Sequence, residues 1–170
     1  MEWTGARYAD RPTVEVGTVI AAPPDEVWPV VSDPLAMPEW SDELQSVVWL
    51  DGAESAAVGR RFEGHNANEP MGEWTTVSTI VECEAGRRFA WAVGDPSEPA
   101  AVWRFTLTPD AGGTRLTQWV QVGPGWSGLS IAIEAMPDKE QKIVFVRLRQ
   151  HEASMTRTLA GIRDRVESRR

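Results

Sequence analysis

Thr13-Val-Glu-Val-Gly-Thr-Val-Ile-Ala-Ala-Pro-Pro-Asp-Glu-Val-Trp28 changes character at its two prolines. Residues 13–22 are rich in β-branched side chains, which suit a pleated surface, and Pro23-Pro24 ends the run because proline has no N–H to give to a ladder. The same prolines open a helix. Pro24 fits the first helical position, Asp25 and Glu26 lie where the helix dipole favours negative charge, and Val27, Trp28, Val30 and Val31 form an apolar stripe. The spacing predicts a strand and then a short helix over 24–32, with Pro29 tolerable only near the first turn. A further helical turn is expected over 34–39, bringing in Leu35, Met37 and Trp40.

Working outward, residues 44–123 read as short extended segments near 44–50, 60–67, 73–83, 87–94, 100–108 and 114–122. Asp51-Gly52, Asn68-Glu-Pro70, Ala85-Gly86, Gly94-Asp-Pro96 and Asp110-Ala-Gly-Gly113 separate them, with Ala85-Gly86 and Gly112-Gly113 expected as tight hairpins. No helix intervenes, so the strands should pair antiparallel. Period-two alternation puts Trp74, Thr76, Ser78, Ile80, Phe89, Trp91, Val93, Trp103, Phe105, Leu107, Leu116, Gln118 and Val120 on one face. The other face carries Arg88, Arg104, Thr106, Thr108 and Arg115. After a loop at Pro124–Gly128 and a short helix over 129–135, Asp138 is expected to cap a helix of about 30 residues. That helix runs through Ile143, Val144, Leu148, Met155, Leu159, Ile162 and Val166 to Arg169-Arg170. The expectation is an α+β fold: a curved seven-stranded antiparallel sheet wrapped around a long C-terminal helix, with two short helices after the first strand. A curled sheet closed by one helix is hard to fill, so a cavity between them is expected.

Composition narrows the function. A chain of 170 residues fits a single domain over 1–170, with its core at about 13–167. Net charge of −8 weighs against nucleic acid, whose phosphates need a basic surface. No apolar run approaches the roughly 18 residues of a membrane helix, so no membrane insertion is expected. The first ten residues lack the basic start and apolar stretch of a secretory signal, which points to the cytoplasm. A lone Cys83 allows neither an internal disulfide nor a cysteine metal site, and no metal or cofactor is implied. Nine Trp against four Phe and one Tyr is a large stock of stiff apolar surface.

Val19-Ile-Ala-Ala-Pro-Pro-Asp-Glu-Val-Trp28, with Val31-Ser-Asp-Pro34 and Pro38-Glu-Trp40, resembles the N-terminal signature of the START-like polyketide cyclase/dehydrase superfamily, the SRPBCC or helix-grip proteins. Val58-Gly-Arg-Arg-Phe62, Gly86-Arg-Arg-Phe89, Trp103-Arg-Phe105, Gly112-Gly-Thr-Arg-Leu-Thr117 and Thr158-Leu-Ala-Gly-Ile162 fall where that family's strands and last helix lie. The resemblance spans residues 13–167 and implies the helix-grip fold. It implies less about activity, because the superfamily includes polyketide aromatases and cyclases as well as lipid and hormone carriers.

The candidate ligand-binding set is Trp40, Phe62, Asn66, Trp74, Thr76, Ser78, Trp91, Trp103, Phe105 and Gln118, with Leu148, His151 and Met155 from the long helix. Indoles stack on planar ligands, and the sparse amides and hydroxyls orient a carbonyl or hydroxyl. The plain alternative is that the Trp residues are dry core. Asn66, Gln118 and His151 are the candidates for catalysis, although the inward set lacks an evident acid, base or cation. His65 should face outward and His151 has an ordinary reading, satisfied by Glu152 or Arg149, which would themselves form a solvated ion pair. Ser127 lacks the glycine two residues on that a nucleophile elbow needs. Trp119 and Trp126 are expected at the surface, and Arg147, Arg149, Arg157, Arg163, Arg165, Arg169 and Arg170 mostly on the wet face of the last helix. Three readings stand: binding of a hydrophobic or aromatic small molecule, lipid- or polyketide-like; a polyketide aromatase/cyclase or dehydratase; and a protein-interaction module motivated by Trp119 and Trp126. A monomer or weak homodimer is expected.

Overall fold

The computed structural model describes residues 1–169; the end of the expected basic terminus, Arg170, lies outside the described residues. Strand β1 (Thr13–Ile20) is followed by helix α1 (Pro24–Val31) and 3₁₀ turns at Pro34–Glu39. Then come β2 (Leu44–Trp49), β3 (Arg61–Asn68), β4 (Gly72–Glu84), β5 (Arg88–Val93), β6 (Ala101–Asp110) and β7 (Gly113–Val122). Helix α2 (Gly128–Ala135) and the long α3 (Glu140–Glu167) complete the chain. The strands form one seven-stranded sheet in the order β1-β7-β6-β5-β4-β3-β2, every pair antiparallel. Only β1 leaves the meander, crossing to pair with β7. Register breaks at Leu44/Ser46 and Ile80/Glu82 are bulges, and bulges raise local twist and bend a sheet. The architecture is the curved α+β helix-grip arrangement that the sequence predicted.

Two local expectations are corrected. The β6–β7 hairpin turns at Ala111-Gly112, not at Gly112-Gly113: Asp110 pairs with Gly113, and both central residues take positive φ, 44° and 87°. Two positive φ values give the turn whose twist matches the flanking strands. Asp138 is not the cap of the long helix either. Pro137 fixes φ and starts a separate 3₁₀ turn over Pro137–Lys139, closed by the Lys139 N–H donating to the Met136 carbonyl, so α3 begins at Glu140. The Glu140 carboxylate instead holds the N-terminal segment, accepting from the Tyr8 N–H and the Arg7 guanidinium at 3.1 Å each.

Burial matches the alternation read from the strands. Ile80, Phe89, Phe105, Leu116 and Val120 are buried under α3, while the outer face is laced by Arg104–Glu82, Arg88–Glu82 and Arg115–Asp110 ion pairs. The core is in two parts. One packs the C-terminal half of α3 (Leu159, Ile162, Val166) against α1 and the sheet through Val27, Val31, Ile20 and Leu116. The other packs Val144, Leu148 and Met155 against Tyr8, Val14, Val120 and Val122. The space beside them, under the middle of α3, is not filled by side chains.

Candidate functional site: a cavity beneath the long helix

That space is a cavity of about 1120 Å³ between the concave face of the sheet and α3. Its floor is aromatic. Trp91 on β5 and Trp103 on β6 are directly paired in register, and their rings stack at 6.3 Å and 13°. Phe62 and Phe105 lie against Trp91 with centroids at 6.4 and 5.9 Å. One end is closed by Trp40, held to the helix by the Thr158 hydroxyl donating to its carbonyl at 3.3 Å. Gly161 makes that seat: a Cβ there would come within 2.9 Å of the Trp40 Cβ. The other end is roofed by Leu129 and Ala132 of α2.

The roof depends on Ser127. Its hydroxyl accepts from the Leu129 N–H at 3.2 Å and its N–H donates to the Ser130 hydroxyl at 3.0 Å, which closes the first turn of α2. Tyr8 pins the same loop, donating to the Gly125 carbonyl at 2.7 Å and lying 2.9 Å from the Ser127 hydroxyl. Ser127 is therefore a helix cap. Trp126 beside it is two-thirds exposed, and Trp119 lies on the outer face under the Arg104 guanidinium, 4.8 Å from the ring centroid.

The sheet-side residues singled out from the sequence, Trp40, Phe62, Asn66, Trp74, Thr76, Ser78, Trp91, Trp103, Phe105 and Gln118, all sit on the cavity wall, and so do His151 and Met155. Leu148 does not. It packs with Tyr8, Val14 and Val144, because 144 and 148 turn toward β1 while 143, 147 and 151 turn toward the cavity. The Asn66 amide donates to the Gly64 carbonyl at 3.2 Å and to the Thr76 hydroxyl at 3.3 Å. His65 faces outward as expected and meets Glu63 at 3.2 Å.

The wall carries charge that sequence reasoning missed. Arg147 lines the cavity and grips Glu43 with both guanidinium nitrogens, at 2.8 and 2.9 Å. Asn68 adds a bond to the same carboxylate at 2.9 Å. Burial works to raise the Glu43 pKa, but the hydrogen bonds and charge of Arg147, with Asn68, outweigh it and hold the carboxyl below its ordinary value. Nearer Trp40, Arg157 donates to one oxygen of Asp42 in a more exposed pair. Arg147 was legible in principle, since Ile143, Arg147 and His151 recur at i, i+4 and i+8. Glu43 sits in a loop before β2 and no periodicity marks it.

His151 is buried, with its ring edge-on to Trp103 at 5.0 Å and 88°. The expected partners are elsewhere: Glu152 meets the Met1 ammonium group at 3.4 Å and Arg149 is exposed. Burial, reinforced by the positive Arg147 and opposed by Glu43, lowers the His151 pKa from 6.5 to about 3, so the imidazole is neutral at physiological pH. Among the described residues no cluster of His, Cys, Asp and Glu is placed to hold a metal ion, and no helix is long and apolar enough to cross a membrane.

A curved sheet gripping one long helix over an aromatic hollow defines a START-like, helix-grip protein. Similarity to known proteins leads to the same class. A family model described as polyketide cyclase / dehydrase and lipid transport matches residues 11–151. A polyketide-cyclase-like protein of Corynebacterium glutamicum, solved by NMR, is 30% identical over 91% of both chains, with a TM-score of 0.66. The chain belongs to this polyketide cyclase/dehydrase and lipid transport family. Two further structures share the fold. A protein of Chromobacterium violaceum is 19% identical, covering 91% of this chain and 97% of its own, with a TM-score of 0.62. The di-domain ARO/CYC protein of the steffimycin biosynthetic pathway is 17% identical, with a TM-score of 0.70 over 92% of this chain and 51% of its own. No curated protein sequence matches the chain.

Proposed function

We propose that the chain binds one hydrophobic or aromatic small molecule, lipid- or polyketide-like, in the cavity between sheet and α3. The observation that carries this reading is the hollow itself: about 1120 Å³ over a floor of stacked Trp91 and Trp103 with Phe62, Phe105, Trp40 and Trp74, its charged groups paired as Arg147–Glu43 and Arg157–Asp42 along the helix side. Small-molecule sites commonly enclose roughly 300–1,000 Å³ of mostly apolar surface, so the space suits a polycyclic or long-chain ligand. Larger side chains would have filled it and stabilised the fold, and the hollow is kept at that cost. The family description, which joins cyclase/dehydrase and lipid transport, supports the same class of ligand.

A second reading, an aromatase/cyclase or dehydratase, is supported by the likeness to the steffimycin ARO/CYC protein and by Asn66, Gln118 and His151 lining one cavity, the first two from the sheet and the third from α3. It is the weaker one. A general base works best with a pKa near the operating pH, and His151, at about 3, is far below it. The protein-interaction reading loses Trp119 to its Arg104 contact and keeps only Trp126. The preferred reading has the protein acting in the cytoplasm as a monomer or weak homodimer.

Native mass spectrometry of the purified protein, followed by tryptophan quenching with phenanthrene, cholesterol and oleate, tests the reading. A copurified small-molecule mass, or quenching that saturates at one equivalent with one of these probes, is expected. Bare protein with no saturable quenching by any of the three contradicts it.

A further inference from the structure

Gln118 is the polar residue that the fold leaves unexplained. It sits at the middle of β7, between Val16 of β1 and Phe105 of β6, and its inward neighbours on the strand are Leu116 and Val120. The residue is 5% exposed and its Oε1 is fully buried without a hydrogen-bond partner among the described residues. Some polar groups nearby have partners, although the small Ser78 hydroxyl on the same wall makes no side-chain hydrogen bond among the described residues. Asn66 donates to Gly64 and Thr76, and the Thr158 hydroxyl donates to Trp40. One other buried oxygen is unbonded, Oε2 of Glu82, and it lies on the outer face 3.4 Å from the Arg88 guanidinium. Gln118 has no such charge beside it.

His151 faces the same floor from α3. It is 8% exposed, it touches the edge of Trp103, and its ring nitrogens make no hydrogen bond among the described residues. Trp103 stands two residues from Phe105 on β6, the strand paired with Gln118. Two polar side chains, each more than nine-tenths buried and unpartnered, thus line one aromatic surface. Buried amides and imidazoles are normally satisfied, because an unpaired one loses its bonds to water and gains nothing. Leucine or methionine at 118 would avoid that loss.

We infer that Gln118 and His151 are specificity-determining residues that select, among planar apolar ligands, those bearing a hydroxyl group. The inference rests on the binding role proposed above. The terminal torsion of glutamine is soft, so a small rotation brings Oε1 to a ligand hydroxyl lying on Trp103. A neutral imidazole offers one N–H donor and one acceptor nitrogen, and so serves the same hydroxyl from the other side. Its low pKa keeps it neutral across the working range. A ligand lacking the hydroxyl leaves both groups as unsatisfied as they are without it, and so gains less on binding.

The test uses the full chain and two probes of nearly equal shape, 2-naphthol and 2-methylnaphthalene, with affinities from equilibrium dialysis. Wild type is expected to bind the naphthol about 10-fold to 100-fold more tightly than its methyl counterpart. In Gln118→Met the preference should fall to within about 3-fold, through weaker naphthol binding alone, and the ligand-free variant should melt no lower than wild type. His151→Phe should lower the preference in the same direction. Equal binding of the two probes by wild type, an unchanged preference in Gln118→Met, or a large loss of its melting temperature would each overturn the selection while leaving the binding reading in place. Binding of neither probe would also overturn the selection, whereas the binding reading is overturned only if phenanthrene, cholesterol and oleate fail as well.

Discussion

The two halves of α3 face the same sheet and do opposite things. From Thr158 onward the helix meets solid packing: Leu159, Ile162 and Val166 are buried against Val27, Val31 and Ile20. From Ile143 to His151 its inward edge meets open space, an ion pair and an unpartnered imidazole. The helix is continuous across both, so the difference comes from what it faces. Helix α1 buries Val27, Val30 and Val31 at one end of the curved sheet, whereas the equally short α2 buries no residue and only roofs the other end. One end holds the fold together, and the other gives up packing for a site.

Substitution should separate the halves. Leu159→Ala opens a void in packed surroundings and is expected to cost about 3 kcal/mol in urea denaturation. Trp74→Ala, at the cavity wall, only enlarges a space already present and should cost under about 1 kcal/mol. Equal losses would erase the distinction.

Acidification should act through His151. Its folded pKa, about 3, lies below the unfolded 6.5, so as pH falls the unfolded chain takes up the proton first. The stability held above pH 6.5 is therefore lost progressively toward pH 3, by on the order of 2 kcal/mol between pH 7 and 4.5. Arg147 and Glu43, which face the ring, remain charged through most of that window. His151→Phe should flatten this part of the pH dependence relative to wild type; parallel curves would show that the ring is solvated.

Smaller effects refine the picture. Glu43→Gln leaves Arg147 half-buried without its counter-ion and should cost about 1 kcal/mol, less than a fully buried pair because both partners touch water. Gly161→Ala crowds Trp40 at 2.9 Å but gains roughly 1 kcal/mol of helix preference. Its melting temperature should barely move, while the Trp40 indole environment changes. An unchanged indole would mean that Trp40 is not seated on Gly161.

The sequence made the elements legible because their signals are local. Pro23-Pro24 between a β-branched run and an apolar stripe, and the alternation of Trp74, Thr76 and Ser78, needed no long-range information. The inward wall came out of that alternation. The hidden features depend on contacts between distant segments. Glu43 reaches Arg147 across more than a hundred residues, Leu148 turns away because the N-terminal Tyr8 occupies the neighbouring face, and Asp138 yields the helix start to the turn forced by Pro137. Helical spacing could have placed Arg147 beside His151. It could not have shown that a carboxylate waits opposite.

The most direct test of the cavity is an ¹⁵N–¹H NMR titration of the nine indole N–H groups with 2-naphthol. The account predicts saturable shifts for Trp74, Trp91 and Trp103 on the cavity wall, with Trp28 beside the packed core and Trp119 on the outer face unmoved. Shifts confined to Trp119 and Trp126, or no shift at the wall indoles up to the solubility limit, would contradict it.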